Sequence, residues 1–596
     1  MSTYRVAITV LFLVSFAFPK ISILPVDSIR PGMKGIGRSV FSGTKVEEFE
    51  VEVLDVMRNV SPHRDIILCR LSGAGLEKTG VIAGMSGSPV YINNKLAGAV
   101  ASTWSFAKEP VAGVTPAKEM LDIWDRERDS STRQSLPRAH RKGFLHFSRN
   151  DGARGLGWKE KIKTRKGGLM YVECVMNHLP LPLIISGFNP AINEIAQPIL
   201  AQYNLTLVGA TGSAPNTLDT ANLIPGGAVG VGLIDGDVRL AAVGTITHRE
   251  GNRILAFGHP LFLAGDVALP MTGGVIHSVL PSMELSFKIF SPSPPIGVIT
   301  QDRESGVSGL IGPLPPMVPI SVAVTLSGER RDIYNLRVAK HELLTPLLIA
   351  IGLLDIALQP IGTMEEITLN SQIKLFLQDS TPTTIHHTFA GPNPVVRFFE
   401  KTHSELKLLF ENPFQPVELK KVAAEFTFSE GRKTAQLLSA QTDRVSLKPG
   451  ETLSLRLRFR EYRGEEIEKE VVIPIPVATP PGTLTISIAS KDEFLNSEMN
   501  RAAQKLVPTS FSHLLKIIEE SGQEEEIVVA GYIPAPGLVI EGKELPQPPP
   551  FLRQVLSSPK GRGSIQPIGQ SLLFKIPVAL EWLVSGSINL EIKVEN

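Results

Sequence analysis

Glycine and proline punctuate this chain from end to end: 51 of the first and 46 of the second are spread over 596 residues. Between them run short segments rich in Val, Ile and Leu. That pattern predicts many short strands joined by tight turns, a mainly β chain. The clearest strand covers residues 46–56, VEEFEVEVLDV, where apolar and acidic residues alternate as they do on a strand with one wet face. Residues 66–71 read as a second strand. Residues 90–100 read as a hairpin turning at Asn93-Asn94.

The length exceeds what one compact core supports and predicts roughly three to five domains. A hydrophobic fraction of 43% beside 20% charged residues is that of a chain able to bury large cores. The 60 Lys and Arg residues nearly balance 59 Asp and Glu, leaving a net charge of +1. No concentrated basic surface follows from such a balance, so nucleic acid is not an expected partner. Two cysteines, Cys69 and Cys174, are too few for a disulfide scaffold or a metal cage; they read as buried thiols, with pairing permitted. No cofactor and no metal is expected.

Arg5 precedes the apolar run VAITVLFLVSFAF at residues 6–18, which Pro19-Lys20 then break. A positive start and a short apolar run form the pattern of a secretory signal, too short for an ordinary membrane span. No small-x-small cleavage site stands out, so an uncleaved membrane tether stays open. Residues 343–358 form the next most apolar stretch, but Pro346 and Asp355 make it a core helix. Other expected helices lie at 116–124, 191–203, 396–410 and 510–521. Residues 125–142, DRERDSSTRQSLPRAHRK, read as an exposed linker.

The motif with chemical content is Gly84-Met85-Ser86-Gly87-Ser88-Pro89, set before the hairpin. Its glycines permit backbone angles closed to residues with a Cβ. In a trypsin-like, two-barrel setting the amides of Gly84 and Ser86 would then form an oxyanion hole beside the Ser86 hydroxyl. The nucleophile elbow of α/β-hydrolases does not fit, because Ser88 replaces its second glycine and a strand follows instead of a helix. A Gly/Ser turn before a hairpin needs no chemistry, and Gly306-Val307-Ser308-Gly309 reads as structure alone.

The longer stretch LSGAGLEKTGVIAGMSGSPVYINNKLAGAV resembles the nucleophile region of the SpoIVB peptidase family. KVEEFEVEVLDV resembles the strand preceding that region. The resemblance implies a serine peptidase of double β-barrel fold with Ser86 as nucleophile. His259, in Leu255-Ala256-Phe257-Gly258-His259, resembles the family's histidine segment and is the implied base. Two departures accompany it. The serine half precedes the histidine half, a swap of chain order that triad geometry tolerates. The position of the family's aspartate is held by Ser72, which leaves Asp302 as the candidate third member and Asp266 as a poorer one; a Ser-His dyad stays open. Among other histidines, His63 lies in a polar turn, as does His248, and His277 reads as a satisfied buried residue.

The expected organisation is therefore a signal or anchor at 1–24, a serine-bearing barrel half at 25–124, and a linker with mixed α/β connection at 125–224. A histidine-bearing barrel half follows at 225–340, then a helical extension at 341–412. An immunoglobulin-like β-sandwich is expected at 413–490 and a small α+β appendage at 491–596. Two functions fit: an exported endopeptidase acting on a protein substrate, including itself, or a catalytically inactive cell-envelope scaffold that keeps the peptidase fold for binding. Export makes a direct prediction. Cell fractionation should find the chain outside the cytoplasm, shortened by about twenty residues or tethered by them; full-length soluble protein in the cytoplasm contradicts it.

Overall fold

The computed structural model describes residues 21–595 apart from 105, 134–156, 164–168, 176, 180, 204, 210–222, 327–329, 361–365, 379–380, 523–524 and 557–564. The expected signal run at 6–18, and the second half of the expected linker (134–142), lie outside the described residues; the first half of that linker continues the helix Ala117–Arg133 instead. Two units divide the chain: Met1–Ser186 with Ile199–Leu233 and Arg239–Pro315, and Gly187–Pro198 with Ile234–Val238 and Pro316–Asn596.

In the first unit, β1 (Lys34–Val40), β2 (Val46–Ser61), β3 (Arg64–Ser72), β4 (Pro89–Ile92), β5 (Lys95–Thr103) and β6 (Val111–Pro116) pair in the order β4-β1-β2-β3-β6-β5. A further antiparallel pairing of β4 with β5 closes the ring into a six-stranded antiparallel barrel. The alternation in β2 decides which way it faces: Phe49, Val51 and Val53 are buried in the barrel core with Ile67, Leu71, Val90 and Val100, while Glu48 and Glu50 are exposed. Helix α1 (Leu76–Thr79) and the loop that follows it connect β3 to β4. Helix α2 (Ala117–Arg133) packs Met120, Ile123 and Trp124 against Ala99 and Leu255.

A second set of pairings in this unit also returns on itself. It uses β7 (Ala228–Gly236), β8 (Arg239–Glu250), β9 (Arg253–Ala256), β10 (Gly265–Leu280), β11 (Phe287–Arg303) and β12 (Gly306–Ile311). The order is β8-β9-β12-β11-β10-β7, with β7 also paired to β8. The strand Leu181–Ser186 adds to β8, antiparallel, outside the ring. Cys69 is a buried thiol, its pKa pushed up to about 12 by burial.

The second unit contains the strands Met317–Leu326 and Arg330–Ala339, and the strand Leu419–Glu430 runs parallel to the first of these. Ile367–Leu377 and Thr383–Ala390 extend this sheet, so the segment expected to be a helical extension carries a hairpin between its two helices. Helix Thr345–Leu358 is buried along its whole length, as an apolar run of 14 residues holding one acid must be. Helix Pro394–Phe410 places the Phe398 ring edge-on to Phe389 and Phe426. A four-stranded and a five-stranded sheet share one apolar core that includes Leu437, Leu455, Phe459, Ile486, Val529 and Ile592. The strand Gly482–Ser490 pairs with Glu526–Ile533 on one side and Ser587–Val594 on the other. The expected boundary at 490 thus falls between strands of one sheet, because sheet neighbours are set by apolar complementarity and not by closeness in sequence. Among the described residues no helix is long and apolar enough to cross a membrane.

The first barrel has little slack. A Cβ on Gly37 would lie 2.1 Å from the Phe49 ring. Gly37→Ala should therefore cost about 1–3 kcal/mol through overpacking, read as a lower denaturant midpoint of the first unit; an unchanged midpoint would show that the ring has room to turn.

Candidate active site

The loop between α1 and β4 is drawn inward by its backbone. Ala83 forms a parallel bridge with Phe287 on β11, its amide donating to the Ser286 carbonyl and its carbonyl accepting from Lys288. Gly84 and Gly87 take φ values of +97° and +95°, which a residue with a Cβ adopts only under strain. At Gly87 the space is closed as well: a Cβ would sit 2.0 Å from the Thr245 carbonyl oxygen and 2.4 Å from the Phe257 amide.

Within the loop the amides divide cleanly. Met85 donates to Ile82, Gly87 to Val100 and Ser88 to Met85, at 2.7–2.9 Å. Among the described residues the amides of Gly84 and Ser86 have no acceptor. These two are the pair that the motif singles out for an oxyanion. Ser86 itself is 2% exposed, and its hydroxyl makes no hydrogen bond to a described residue.

Thr245 on β8 joins this loop to the segment carrying the histidine. Its amide donates to the Ser86 carbonyl at 2.8 Å, its carbonyl accepts from Phe257, and its hydroxyl donates to the Gly84 carbonyl at 2.9 Å. Two residues on, the Thr247 hydroxyl donates to the Gly87 carbonyl at 2.7 Å. Phe257 and Gly258 both have positive φ, and this left-handed pair turns the chain from β9 into His259. Gly258 lies against the carbonyl of Val100, and its own carbonyl accepts from Thr115. Ser86 and His259, far apart in sequence, are thus brought to neighbouring stretches of one hydrogen-bonded framework.

The His259 ring is buried, edge-on to Phe257, and its Nδ1 donates to the Pro260 carbonyl at 2.7 Å. That bond fixes the proton on Nδ1 and leaves the lone pair on Nε2, the tautomer a general base requires. The partner is a neutral carbonyl. Asp302, fully buried at the end of β11, serves the following loop instead: its carboxylate accepts from the amides of Leu261, Phe262 and Ala264 at 2.7–3.1 Å. Among the described residues these backbone amides are its hydrogen-bond partners. Burial pushes its carboxyl above the ordinary range, opposed by the same amides. Asp302 holds the turn beyond the histidine and makes no hydrogen bond to the ring, whose Nδ1 is directed to the Pro260 carbonyl instead.

The other candidates are placed apart from this framework. Ser72 donates to exposed Glu50 at 3.1 Å, Asp266 pairs with Arg303, and His63 is exposed in the β2–β3 turn. His277 bonds Ser291, while His248 lies beside Trp124 with its pKa lowered by burial. Ser308, in the second Gly-x-Ser-Gly, is buried in β12 and accepts from the Trp124 indole at 3.0 Å.

One group escaped the reading of the sequence. Lys288 on β11 is completely buried under Gly84, its Nζ 2.9 Å from Ser39 Oγ and 3.4 Å from Thr245 Oγ1. A lysine within LSFKIFS has apolar neighbours on both faces of the strand and no wet side to occupy; that was the available signal. Among the described residues no group of His, Cys, Asp and Glu is arranged to hold a metal ion.

A closed antiparallel barrel carrying a Gly-x-Ser-Gly-x-Pro loop, two of whose amides have no acceptor among the described residues, is an arrangement of the kind a serine peptidase requires. Residues 17–121 match the family model of the SpoIVB peptidase S55. The match includes Gly84 and Ser86 and ends before His259 and Asp302. The chain has no match among the curated proteins and none among the solved structures.

Burial lowers the Lys288 pKa to about 7. Unfolded, the amine keeps its proton up to about 10.5. Between these values the unfolded chain binds more protons, so this residue makes stability rise with pH across that window; at pH 7 and below, its full cost is present. Urea unfolding at several pH values should show that rise in the parent chain and its loss in Lys288→Met. Parallel pH curves for the two chains would contradict it.

Proposed function

We propose that this protein is an exported serine endopeptidase that cleaves a specific protein substrate, and in some circumstances itself, through an acyl-enzyme at Ser86. The observation that carries the reading is the pair of unengaged amides at Gly84 and Ser86, in a loop whose neighbouring amides are all taken. An oxyanion in that position would be met by preorganised donors, the arrangement that lowers the barrier to acyl transfer most. The paired rings β1–β6 and β7–β12 support a trypsin-like double barrel in which the serine part comes first in the chain.

In this mechanism the Ser86 hydroxyl attacks the scissile carbonyl while His259 Nε2 takes its proton. The oxyanion rests on the two amides, and the imidazolium returns the proton to the leaving amine. Water then attacks the acyl group, with His259 again the base. Transfer needs Nε2 within about 2.6–3.2 Å of the hydroxyl, a distance that substrate binding commonly completes. The Pro260 carbonyl does the orienting that an aspartate does elsewhere, without its charge, so the imidazolium is less stabilised and turnover is correspondingly slow.

The second reading, a scaffold that keeps the fold for binding, draws on the buried Ser86 hydroxyl, which has no described partner, and on Asp302, whose oxygens serve the loop. Labelling of the purified full chain by a fluorophosphonate separates the two. The peptidase reading expects labelling that Ser86→Ala abolishes with the fold intact, and a loss of turnover of about 10⁴- to 10⁶-fold. Equal labelling of the Ala variant, or labelling at Ser308, would refute the assignment, and a parent chain inert to the probe favours the scaffold.

A further inference from the structure

Lys288 is a cation-forming side chain with 0% exposure, it makes no ion pair among the described residues, and it lies directly under the loop that carries Ser86. Its aliphatic carbons pass beneath Gly84, with Cδ 3.1 Å from where a Cβ would be. Two hydroxyls meet its nitrogen, Ser39 from β1 and Thr245 from β8, and each reaches a different end of the loop. Thr245 donates to the Gly84 carbonyl at 2.9 Å, and the Ser88 hydroxyl donates to Ser39 Oγ at 3.0 Å.

We propose that Lys288 is a positioning residue for the 84–88 loop, the chain Ser88–Ser39–Lys288–Thr245–Gly84 tying both ends of that loop to one buried nitrogen. The inference rests on the reading of this loop as the acyl-transfer site. It assigns Lys288 no contact with substrate.

Proton counting shows which form of the amine completes the chain. Ser88 gives its proton to Ser39, so the Ser39 proton needs an acceptor. A neutral amine supplies one in its lone pair, while an N–H of the same amine donates to Thr245, whose proton goes to the Gly84 carbonyl. Every hydroxyl proton then has an acceptor, with one amine N–H left over, and the bonds run in one direction from Ser88 to Gly84. An ammonium has no lone pair, so protonation leaves the Ser39 proton stranded in a buried setting, where an unsatisfied donor is costly.

Burial is the sole cause that lowers the amine's affinity for a proton, and it brings the titration into the neutral range. Among the described residues no ionisable group faces Nζ. On β1 the neighbouring Arg38 bonds Glu48 and covers Tyr91. On β10, which pairs with Lys288 through Val279, His277 bonds Ser291. Ahead of the loop, Glu77 accepts from the Gly73 amide. On β8, Arg239 and the 248–250 segment lie at the two ends of the strand, away from Thr245.

Hydrogen exchange of the peptide covering residues 80–88 tests this without requiring catalysis. It is measured on the full chain carrying His259→Gln, so that the histidine cannot titrate, and rates are divided by the intrinsic exchange rate at each pH. Protection at pH 8.5 should exceed that at pH 5.5 by roughly fivefold or more in the Lys288 chain. It should be independent of pH in Lys288→Met. Ser39→Ala, which cuts the chain while keeping the amine, should be poorly protected at both pH values, and it decides the matter alone if Lys288→Met does not fold. Flat protection in the Lys288 chain, or the same pH dependence in either variant, overturns the proposal. Failure of Ser86 labelling is a separate result that bears on the peptidase reading only.

Discussion

The candidate site depends on one residue of β8. Thr245 gives its amide to the Ser86 carbonyl, its carbonyl to the Phe257 amide and its hydroxyl to the Gly84 carbonyl, so the serine loop and the histidine segment share a single backbone anchor. Main-chain bonds of this kind are buried and have no water to replace them. Breaking one strands a donor or acceptor, which costs about 1–3 kcal/mol. Glycine is needed at 87 for the same reason: the two segments approach so closely that no side chain fits between them. The loop geometry is therefore a property of strands from both rings of the first unit.

Much of the first unit was legible in the sequence. The period-two pattern of residues 46–56 placed β2 and its buried face, and the Asn93-Asn94 turn placed the β4–β5 hairpin, because both depend on local residue choice. The serine loop was legible through its glycines. What escaped detection depends on neighbours distant in the chain. Nothing in Gln301-Asp302-Arg303 tells that the carboxylate caps the amides of residues 261–264 rather than reaching the imidazole. Pro260 as the ring's partner could not be foreseen either, since a carbonyl carries no mark of residue type. Lys288 was passed over because lysine is ordinarily solvated, and only its strand neighbours hinted otherwise.

The second unit teaches the same lesson at larger scale. Strands were expected at 413–490 and are present there, yet their sheet is completed by Glu526–Ile533, Ser571–Ala579 and Ser587–Val594. The end of the alternating-strand pattern and the expected helix at 510–521 suggested a boundary, whereas apolar faces determine which strands share a sheet. Ile488, Val529 and Ile592 belong to one core although helices and loops separate them in sequence.

The clamp on Gly84 joins residues 161 positions apart. A ribosome adds roughly 5–20 residues per second, so the serine segment is made on the order of ten seconds or more before the strand that shapes it. Throughout that interval the nascent chain carries Ser86 but lacks the backbone that aims the Gly84 and Ser86 amides. Synthesis itself thus imposes an interval: the loop geometry on which the proposed acyl transfer depends arises only after β8 has been made and folded, late in the production of the first unit.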